Sequence, residues 1–369
     1  MNLMEKWLDA ARQYLPVDAA VWDAHTHTGQ NDPDGVRGTA DRLLAKLDEA
    51  GQAGAAVVTN RDPDGYPDPN DRVLAEANQS SGRLVPYLRV DPRLGTAALA
   101  EVERCLEAGH RGIKLHPRAE QFELSNPTVR RVAELAAERG VPMLVHAGRG
   151  IPSLGEDAVR LCDAVDGLRV VLAHAAISDL SWLGPAVADH PGLYFDTSWW
   201  DVTDLLALFA WVPPGRILYA SDTPYGHPAL GFILTMRVAA SARYNSSQLR
   251  ALFGGTLLRL LDGEEGEELG PAPGDDFVGG DPGLLRVHAS LHGAIVRAFS
   301  RDDASEQVSL ARLACVVPAD AHHEPVYRAI AGTLDNIDLV NGARRDIVRP
   351  LIVAAAGALT PDVAVPDIA

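Results

Sequence analysis

Residues 21–27 read Val21-Trp22-Asp23-Ala24-His25-Thr26-His27, a short apolar run that ends in two histidines. His25 and His27 are two positions apart, and side chains at that spacing on a strand point to one face, so both imidazoles can reach one metal ion. Asp23 lies on the same face and can orient the pair as a hydrogen-bond acceptor. Further apolar runs that end on a possible metal ligand are those closing at His116, His146, His174 and Asp222.

The order of these runs predicts a barrel. Short β-rich runs alternate with polar loops and helix-period segments from residue 21 to about residue 261. Continuous apolar runs of this kind are typical of strands buried on both faces of a parallel sheet. Eight such alternations fit a (β/α)8 TIM barrel, an α/β fold whose active sites lie at the carboxyl ends of the strands. The predicted strands are 21–25, 55–59, 84–90, 112–116, 142–146, 169–173, 193–197 and 217–221.

A doubly wound open sheet is the alternative to the barrel. Such a sheet usually has fewer strands, and no GxGxxG motif follows the first run here. Capping residues support the helices between the runs: Asn126-Pro127 precedes a predicted helix over 128–139, and Gly140 follows it. Predicted helices that are likewise followed by glycine are 41–50 and 96–108.

The chain has 369 residues, which is more than the roughly 250 of a barrel. We expect the barrel to cover 1–262, with a short amphipathic helix within 1–20. Segment 263–283 is acidic and rich in glycine and proline, which predicts a linker or a flexible loop. Residues 284–369 are predicted to form a helical C-terminal extension that serves oligomerisation or caps the barrel mouth. Its predicted helices are 284–301, 305–316, 323–340 and 343–358.

Composition narrows the class of protein. The chain is 47% hydrophobic and 22% charged, and its net charge is 33 − 50 = −17. So acidic a surface argues against nucleic-acid and anionic-membrane partners. The three cysteines lie far apart, and neither a signal-peptide core nor an apolar run of 18 residues is present. We therefore predict a cytoplasmic protein without a disulfide framework.

Two residues on the fourth predicted strand face the barrel interior together. Lys114 either forms an ion pair with Asp222 or Asp196, or carries a carbamate that bridges two metal ions. His116 is expected to bind substrate rather than metal.

Loops after the strands add candidate substrate-binding residues. Arg149 lies between two glycines beyond His146 and is either a clamp for a substrate carboxylate or a solvated loop residue. Trp199 and Trp200 follow the seventh strand. They either line a pocket for a planar substrate or pack under the barrel rim.

Taken together, these segments resemble the amidohydrolase superfamily, and within it the amidohydrolase-related (amidohydrolase 2) group, which includes amino-carboxymuconate-semialdehyde and resorcylate decarboxylases. The resemblance covers about residues 20–262. It includes a closing helix at 252–260, where Thr256 replaces the usual asparagine. The segments that carry it are Asp23-Ala24-His25-Thr26-His27, Gly112-Ile113-Lys114-Leu115-His116-Pro117, Leu144-Val145-His146-Ala147-Gly148, Leu172-Ala173-His174 and Ala220-Ser221-Asp222-Thr223-Pro224-Tyr225-Gly226.

The resemblance implies a barrel that holds one divalent ion, most commonly Zn²⁺, with Mn²⁺ as the other candidate. Carried over by position, the metal ligands are His25, His27, His146 and Asp222, a set that zinc accepts with room for water or substrate. His174 would hold or protonate the reacting oxygen. Since two-metal relatives carry a carboxylated lysine where Lys114 stands, one ion and two ions both remain open.

Three functions are compatible with these residues. The first is a metal-dependent hydrolase of a small molecule, in which the ion activates water to attack an amide, a lactone or a C–C bond beside a carbonyl, with Asp222 as the base and His174 as the group that steadies the developing charge. The second is a non-oxidative, metal-dependent decarboxylase (a carboxy-lyase) of an aromatic or muconate-type acid. The third is a non-catalytic scaffold that acts through its helical tail, against which the intact ligand set weighs. A homodimer is compatible with the apolar faces of that tail.

Overall fold

The computed structural model describes residues 2–148 and 154–368. Its strands alternate with helices along the barrel, and four further helices follow. The strands are β1 Trp22–Thr28, β2 Gly54–Thr59, β3 Leu84–Pro86, β4 Leu88–Arg89, β5 Ile113–Leu115, β6 Met143–Val145, β7 Val170–Leu172, β8 Leu193–Asp196 and β9 Ile217–Leu218. The helices are α1 Leu3–Arg12, α2 Ala40–Glu49, α3 Pro67–Gln79, α4 Thr96–Ala108, α5 Pro117–Glu120, α6 Pro127–Glu138, α7 Gly155–Ala164, α8 Leu180–Ala186, α9 Val202–Trp211, α10 Pro228–Ser241, α11 Ser246–Arg250, α12 Thr256–Leu261, α13 Pro282–Ser300, α14 Ser305–Ala314, α15 Glu324–Asp335 and α16 Arg344–Leu359.

The strands form a closed parallel barrel. Parallel ladders join β1 to β2 and β3, and β4 to β9 in sequence order. The predicted third strand is divided at Tyr87, whose amide donates to Val57, while the next residue along pairs with Gly112. On the other side, the amide of Ala24 donates to the carbonyl of Tyr219 at 2.9 Å, which closes the ring. The predicted (β/α)8 barrel is therefore confirmed, and the open sheet is excluded.

Strand β2 shows why the runs are apolar throughout. Alternate side chains of a strand point to opposite faces. Ala55 and Val57 pack outward with the buried side chains of α2 and α3, while Ala56 and Val58 face the barrel interior. Both faces are dry, so both must be apolar.

Capping residues place the helices as predicted. Helix α6 follows Asn126, whose side chain accepts from the amide of Thr128, and Pro127 occupies the first helical position. Helix α4 ends at Gly109, which adopts the left-handed φ of 118° that a side chain disfavours.

Helices α13–α16 pack against the barrel, and their apolar side chains belong to the same buried cluster as the outer barrel helices. Trp7 of α1 is fully buried and donates through its indole nitrogen to Thr333 of α15 at 3.0 Å. Arg237 of α10, also fully buried, donates to Thr360 just beyond α16. These contacts fix the tail relative to the barrel.

The acidic segment before the tail lies along the barrel. The amide of Gly266 donates to the hydroxyl of Tyr194 at 2.9 Å, and Glu268 pairs with Arg216 at 3.1 Å. Tyr194 lies on β8, so the segment is hydrogen-bonded to the barrel at these points. Among the described residues, no helix combines the length and the apolar character needed to cross a membrane.

Candidate metal centre

Three side chains converge at the carboxyl ends of β1 and β9. Nε2 of His25 and Nε2 of His27 are 3.1 Å apart. Oδ1 of Asp222 lies 3.1 Å from Nε2 of His27 and 3.5 Å from Nε2 of His25. Two ligands bound to one tetrahedral zinc ion are about 3.3 Å apart, given bonds of roughly 2.0–2.1 Å. The three atoms are therefore spaced to hold a single divalent ion, and they form a possible metal-binding group within the described chain.

The hydrogen bonds of the two imidazoles assign their protons. Nδ1 of His25 lies 2.9 Å from Oδ2 of Asp196, and Nδ1 of His27 lies 3.3 Å from the carbonyl of Thr59. Since both partners are acceptors, each Nδ1 carries a hydrogen and each Nε2 presents a lone pair. Burial lowers the pKa of both histidines, which favours this neutral form. Two lone pairs and a carboxylate oxygen so close together repel one another unless a cation lies between them.

Lys114 lies beside the same group of atoms. Its Nζ lies 2.8 Å from Nε2 of His25, and the side chain is fully buried. Burial lowers the pKa of Lys114 to about 7, although Asp222 and Asp196 oppose the shift. Within the described residues it forms no ion pair with either carboxylate. The lysine thus adjoins the position expected for the metal, and whether it carries a carbamate stays a prediction.

The chain after β9 bends sharply to present Asp222. Asp222 has a φ of 55°, in the left-handed region, and its amide donates to the carbonyl of His25 at 2.8 Å. Conformations of this kind are held only where the surroundings impose them, and they concentrate at functional sites. Burial raises the pKa of Asp222, but any positive charge on the neighbouring His25 and His27 favours the carboxylate more strongly, so the pKa is lowered and the group is ionised at neutral pH.

Asp23 acts through the backbone rather than through an imidazole. Its Oδ1 accepts from the amides of His25 and Ser221, at 3.1 and 3.0 Å. It thereby ties β1 to the segment that carries Asp222. Burial raises the pKa of Asp23 to about 7. Asp23, which the sequence suggested as the partner of the imidazoles, therefore binds backbone amides instead. The imidazole of His25 is hydrogen-bonded to Asp196.

Asp196, at the end of β8, is the hydrogen-bond centre of the site. Oδ2 contacts His25, while Oδ1 accepts from the amide of His174 at 2.8 Å and from the amide and hydroxyl of Ser198. The carboxylate is fully buried. It orients one proposed ligand and fixes the backbone at the end of the neighbouring strand.

A second row of histidines lies beside the first. Nε2 of His174 is 2.9 Å from Nδ1 of His146, and the ring of His146 stacks on that of His116 with centroids 3.8 Å apart. His146 is not a member of the group formed by the other three proposed ligands. Its Nε2 is buried and has no hydrogen-bond partner in the described structure. The role of His146 as a fourth ligand remains a prediction, and a substrate atom is another partner open to that nitrogen.

The site opens into a cavity of about 1030 Å³. Trp199 and Trp200 both line it, and their ring centroids lie 6.1 Å apart. Trp200 also meets the tail, since the ring of His292 stacks on it at 5.8 Å. Both functions suggested for the tryptophans, pocket wall and rim packing, are thus compatible with the structure. Arg149 lies outside the described residues.

Two features of this cavity were missed from the sequence. Arg89 at the end of β4 is buried, pairs with Glu120 at 2.7 Å and lines the cavity. Asp32 accepts a hydrogen bond from the hydroxyl of Tyr225, and both residues line the cavity. Arg89 ends the observed strand β4 and is the second-to-last residue of the predicted strand 84–90, so the rule applied to the other strand ends would have come close to it, had cationic residues been counted with the histidines.

Solved structures of known proteins share the barrel. The chain matches 2,6-dihydroxybenzoate decarboxylase from Rhizobium at 14% identity and a TM-score of 0.54, covering 66% of this chain and 99% of that one. It matches 5-carboxyvanillate decarboxylase from Sphingomonas paucimobilis at 14% identity and a TM-score of 0.53, covering 66% of this chain and 99% of that one. It matches 4-oxalomesaconate hydratase from Rhodopseudomonas palustris at 15% identity and a TM-score of 0.50, covering 66% of this chain and 96% of that one. Likeness at this identity establishes the fold alone.

The family assignment comes from sequence. No curated protein matches the chain. The amidohydrolase family model, Amidohydro_2, matches residues 22–262, which is more than half of the chain and leaves out α13–α16. The matched segment contains every residue of the His25, His27 and Asp222 group. This chain therefore belongs to the amidohydrolase family.

Proposed function

We propose that the protein is a metal-dependent decarboxylase that releases CO₂ from a small carboxylated molecule without oxidation. The observation that carries the proposal is the set of three converging donor atoms in the lining of a cavity that several cationic side chains also line. Such a cavity suits an acid, and the solved decarboxylases that share the fold act on carboxylated aromatic rings according to their names. Trp199 and Trp200 in the wall suit a planar substrate.

The chain supplies the ligands and their orientation. His25, His27 and Asp222 would hold the ion, with Asp196 fixing the tautomer of His25. When bound, a divalent ion supplies Lewis-acid polarisation of substrate oxygens. Zinc is the proposed metal because two imidazoles and a carboxylate match its ligand preference, and manganese is the alternative.

Asp222 is positioned to move a proton. It is ionised in the resting site, so it would accept the proton of a substrate hydroxyl next to the carboxylate. The C–C bond to the carboxylate then breaks, CO₂ leaves, and the electron pair stays on the ring carbon. Asp222 returns its proton to that carbon, so atoms and charge balance.

His146, with its ring hydrogen-bonded to His174, would bind the substrate rather than transfer a proton. Nδ1 of His174 lies 2.8 Å from the carbonyl of Ser198, so it carries the hydrogen, and Nε2 of His174 accepts from Nδ1 of His146. This leaves a lone pair on the buried Nε2 of His146. We propose that it accepts a hydrogen bond from a substrate hydroxyl and so selects hydroxylated acids.

The test is product analysis in D₂O with the metal-loaded protein and a panel of hydroxybenzoates carrying one or two carboxylates. We expect CO₂ and deuterium at the carbon that lost the carboxylate. Asp222→Asn should keep the circular dichroism spectrum and lose more than about 100-fold in rate, while His322→Ala, at an exposed position of the tail, should match the unaltered protein. A wild-type rate in Asp222→Asn would refute the proton-transfer role, and absence of CO₂ from every acid in the panel would refute decarboxylation.

A metal-dependent hydrolase is the second candidate. The ionised Asp222 beside the proposed ion favours it, because a carboxylate there can also take a proton from water. Incubation of the same panel, extended with lactones and amides, in H₂¹⁸O distinguishes the two reactions. Incorporation of ¹⁸O into the product without CO₂ would identify the hydrolase.

A further inference from the structure

The tail forms one wall of the cavity that holds the candidate metal centre. Phe299 of α13 and four residues within 344–349 of α16 line it, together with Ile352. Helix α16 lies beyond the segment that matches the amidohydrolase family. The tail therefore gives this chain a piece of its cavity that the family match does not account for.

The wall contributed by α16 is cationic. Arg344, Arg345 and Arg349 all line the cavity, and Arg349 is half-buried. Within the described chain, Arg349 has neither an ion pair nor a side-chain hydrogen bond, and the ion pair of Arg345 is a 3.7 Å contact with its own neighbour, Asp346. Arg344 lies over the ring of Phe299, 5.5 Å from its centroid. These guanidinium groups leave hydrogen-bond donors free.

Lys46 joins these arginines in a cationic cluster, and their charges also act on His227, which is itself neutral at pH 7. Burial, followed by the charge of Arg349, lowers the pKa of Lys46. Burial, followed by the charges of Arg349, Lys46 and Arg345, lowers the pKa of His227 to about 3. The acidic groups that act on the cluster are Glu49, on Lys46, and Asp346, on Arg349.

Cations held together without matching carboxylates repel one another, and this costs stability. The chain has 50 acidic residues and a net charge of −17, so it does not lack partners for them. The cluster is nevertheless concentrated where the cavity meets α16. An anionic ligand would remove the repulsion, and arginine binds carboxylate and phosphate oxygens through paired hydrogen bonds.

The cluster is within reach of one small molecule bound at the metal centre. His227 follows Asp222 by five residues, so their α-carbons are at most about 18 Å apart. The distance is shortened by a turn, in which the amide of Gly226 donates to the carbonyl of Asp222 at 2.8 Å. The cavity volume of about 1030 Å³ lies at the upper end of the usual range for small-molecule sites, which leaves room beyond a single aromatic ring.

We propose that Arg349 and Arg345 of α16 bind a second anionic group of the substrate, a carboxylate or a phosphate. The substrate is then a small molecule with an anion at each end, one directed to the metal centre and the other to the tail. The anion at the metal centre rests on the proposed function, whereas the anion at the tail is the new element of this inference. Arg349 is the specificity-determining residue because it is the half-buried member of α16 in the cluster.

Binding, measured without turnover, tests the inference. We would titrate the metal-loaded protein by calorimetry with benzoate, benzene-1,4-dicarboxylate, biphenyl-4,4′-dicarboxylate and 4-phosphonobenzoate. We expect at least one dianion to bind tenfold or more tightly than benzoate. In Arg349→Ala that advantage should fall at least fivefold, while the benzoate affinity changes less than twofold. Arg345→Gln, at an exposed position with little risk to folding, should weaken the same dianion two- to fivefold.

Arg328→Ala is the matched control, since Arg328 is an exposed arginine of the tail that does not line the cavity. It should leave every affinity unchanged. Equal affinity for benzoate and all dianions, or an advantage that survives both Arg349→Ala and Arg345→Gln, would overturn the inference. Comparison of the dicarboxylates with the phosphonate identifies the preferred second anion. Selective dianion binding without CO₂ release would support anion binding by α16 and count against the decarboxylase. Failure of this inference is therefore distinguishable from failure of the proposed function.

Discussion

Oδ2 of Asp196 lies 2.9 Å from Nδ1 of His25, and both side chains are fully or almost fully buried. The contact joins the ends of β8 and β1, which are not neighbours in the barrel. Because the carboxylate accepts the hydrogen of Nδ1, it leaves Nε2 of His25 as a lone pair that faces His27 and Asp222. One buried carboxylate thus decides whether His25 can serve as a ligand.

Replacement of Asp196 by asparagine should weaken metal binding. An amide can donate as well as accept, so the tautomer of His25 is no longer fixed, and loss of such an outer partner typically costs 10–100-fold in metal affinity. We expect a loss of that size for Zn²⁺ in competition with a chromogenic chelator. Asp204→Asn is the matched control, because Asp204 accepts from the indole of Trp199 and, in the described part of the chain, has no hydrogen bond or ion pair with a histidine of the centre. Unchanged Zn²⁺ affinity in Asp196→Asn would contradict the assignment.

Metal stoichiometry tests the centre itself. Protein purified without added metal should contain about one zinc or manganese per chain by elemental mass spectrometry. The double variant His25→Ala/His27→Ala should contain none, and His322→Ala should retain the full amount. About two ions per chain would instead require Lys114 as a ligand to a second ion, for which a carbamate is the suitable form. Retention of metal by the double variant would refute the centre.

The barrel could be predicted from the sequence because its strands are buried on both faces. Apolar runs identify strands such as β2 and β6, and their alternation with capped helices supports the same assignment. The predicted strand ends differ from the observed ones by few residues. The division at Tyr87 could not be predicted, since the residue is as apolar as its neighbours and only the pairing of β3 and β4 with different strands reveals the break.

The centre was predictable in part. His25, His27 and Asp222 converge as expected from strands that end at one face of a barrel. The role of Asp196 was missed because hydrogen-bond partners depend on side-chain directions across the barrel, which sequence spacing does not encode. The cationic wall was missed for a similar reason: Arg349 is more than a hundred residues from Asp222, and only the packing of the tail places them on one cavity.

Burial, and after it the charges of the cationic cluster, lower the pKa of His227 without any ligand. Its pKa in the folded chain is about 3, below the ordinary 6.5, so between those values the unfolded chain binds more protons than the folded one. The free energy of unfolding therefore rises with pH across this window, and the contribution of His227 to it is lost as pH falls from 6.5 to about 3. His227→Asn, which preserves a capping side chain at the start of α10, should flatten that dependence in urea unfolding at a series of pH values.

Arg349→Ala should raise the pKa of His227 toward its ordinary value, because one of the neighbouring positive charges is removed. Burial is the larger cause, so the pKa should stay below 6.5. The imidazole resonance followed by NMR between pH 3 and 8 measures the change, with Arg328→Ala as the control. An unchanged pKa in Arg349→Ala would show that the guanidinium does not act on His227.

Trp7 tests whether the tail unfolds with the barrel. Its ring is fully buried, its indole donates to Thr333 of α15, and Arg237 of α10 lies over it at 5.1 Å. Trp7→Ala leaves a cavity where α1, the barrel and the tail meet, and should lower the free energy of unfolding by about 3–5 kcal/mol. Trp182→Ala, at a position 43% exposed, should cost less than about 1 kcal/mol.

Urea unfolding, followed by far-ultraviolet circular dichroism and by tryptophan fluorescence, separates two outcomes for Trp7→Ala. If the shared apolar cluster makes barrel and tail one cooperative unit, both midpoints shift together and coincide. If the tail is an independent unit, the two probes give separate transitions and the barrel midpoint stays in place. We expect coincident midpoints, because the buried contacts of Trp7 and Arg237 join the tail to α1 and to α10.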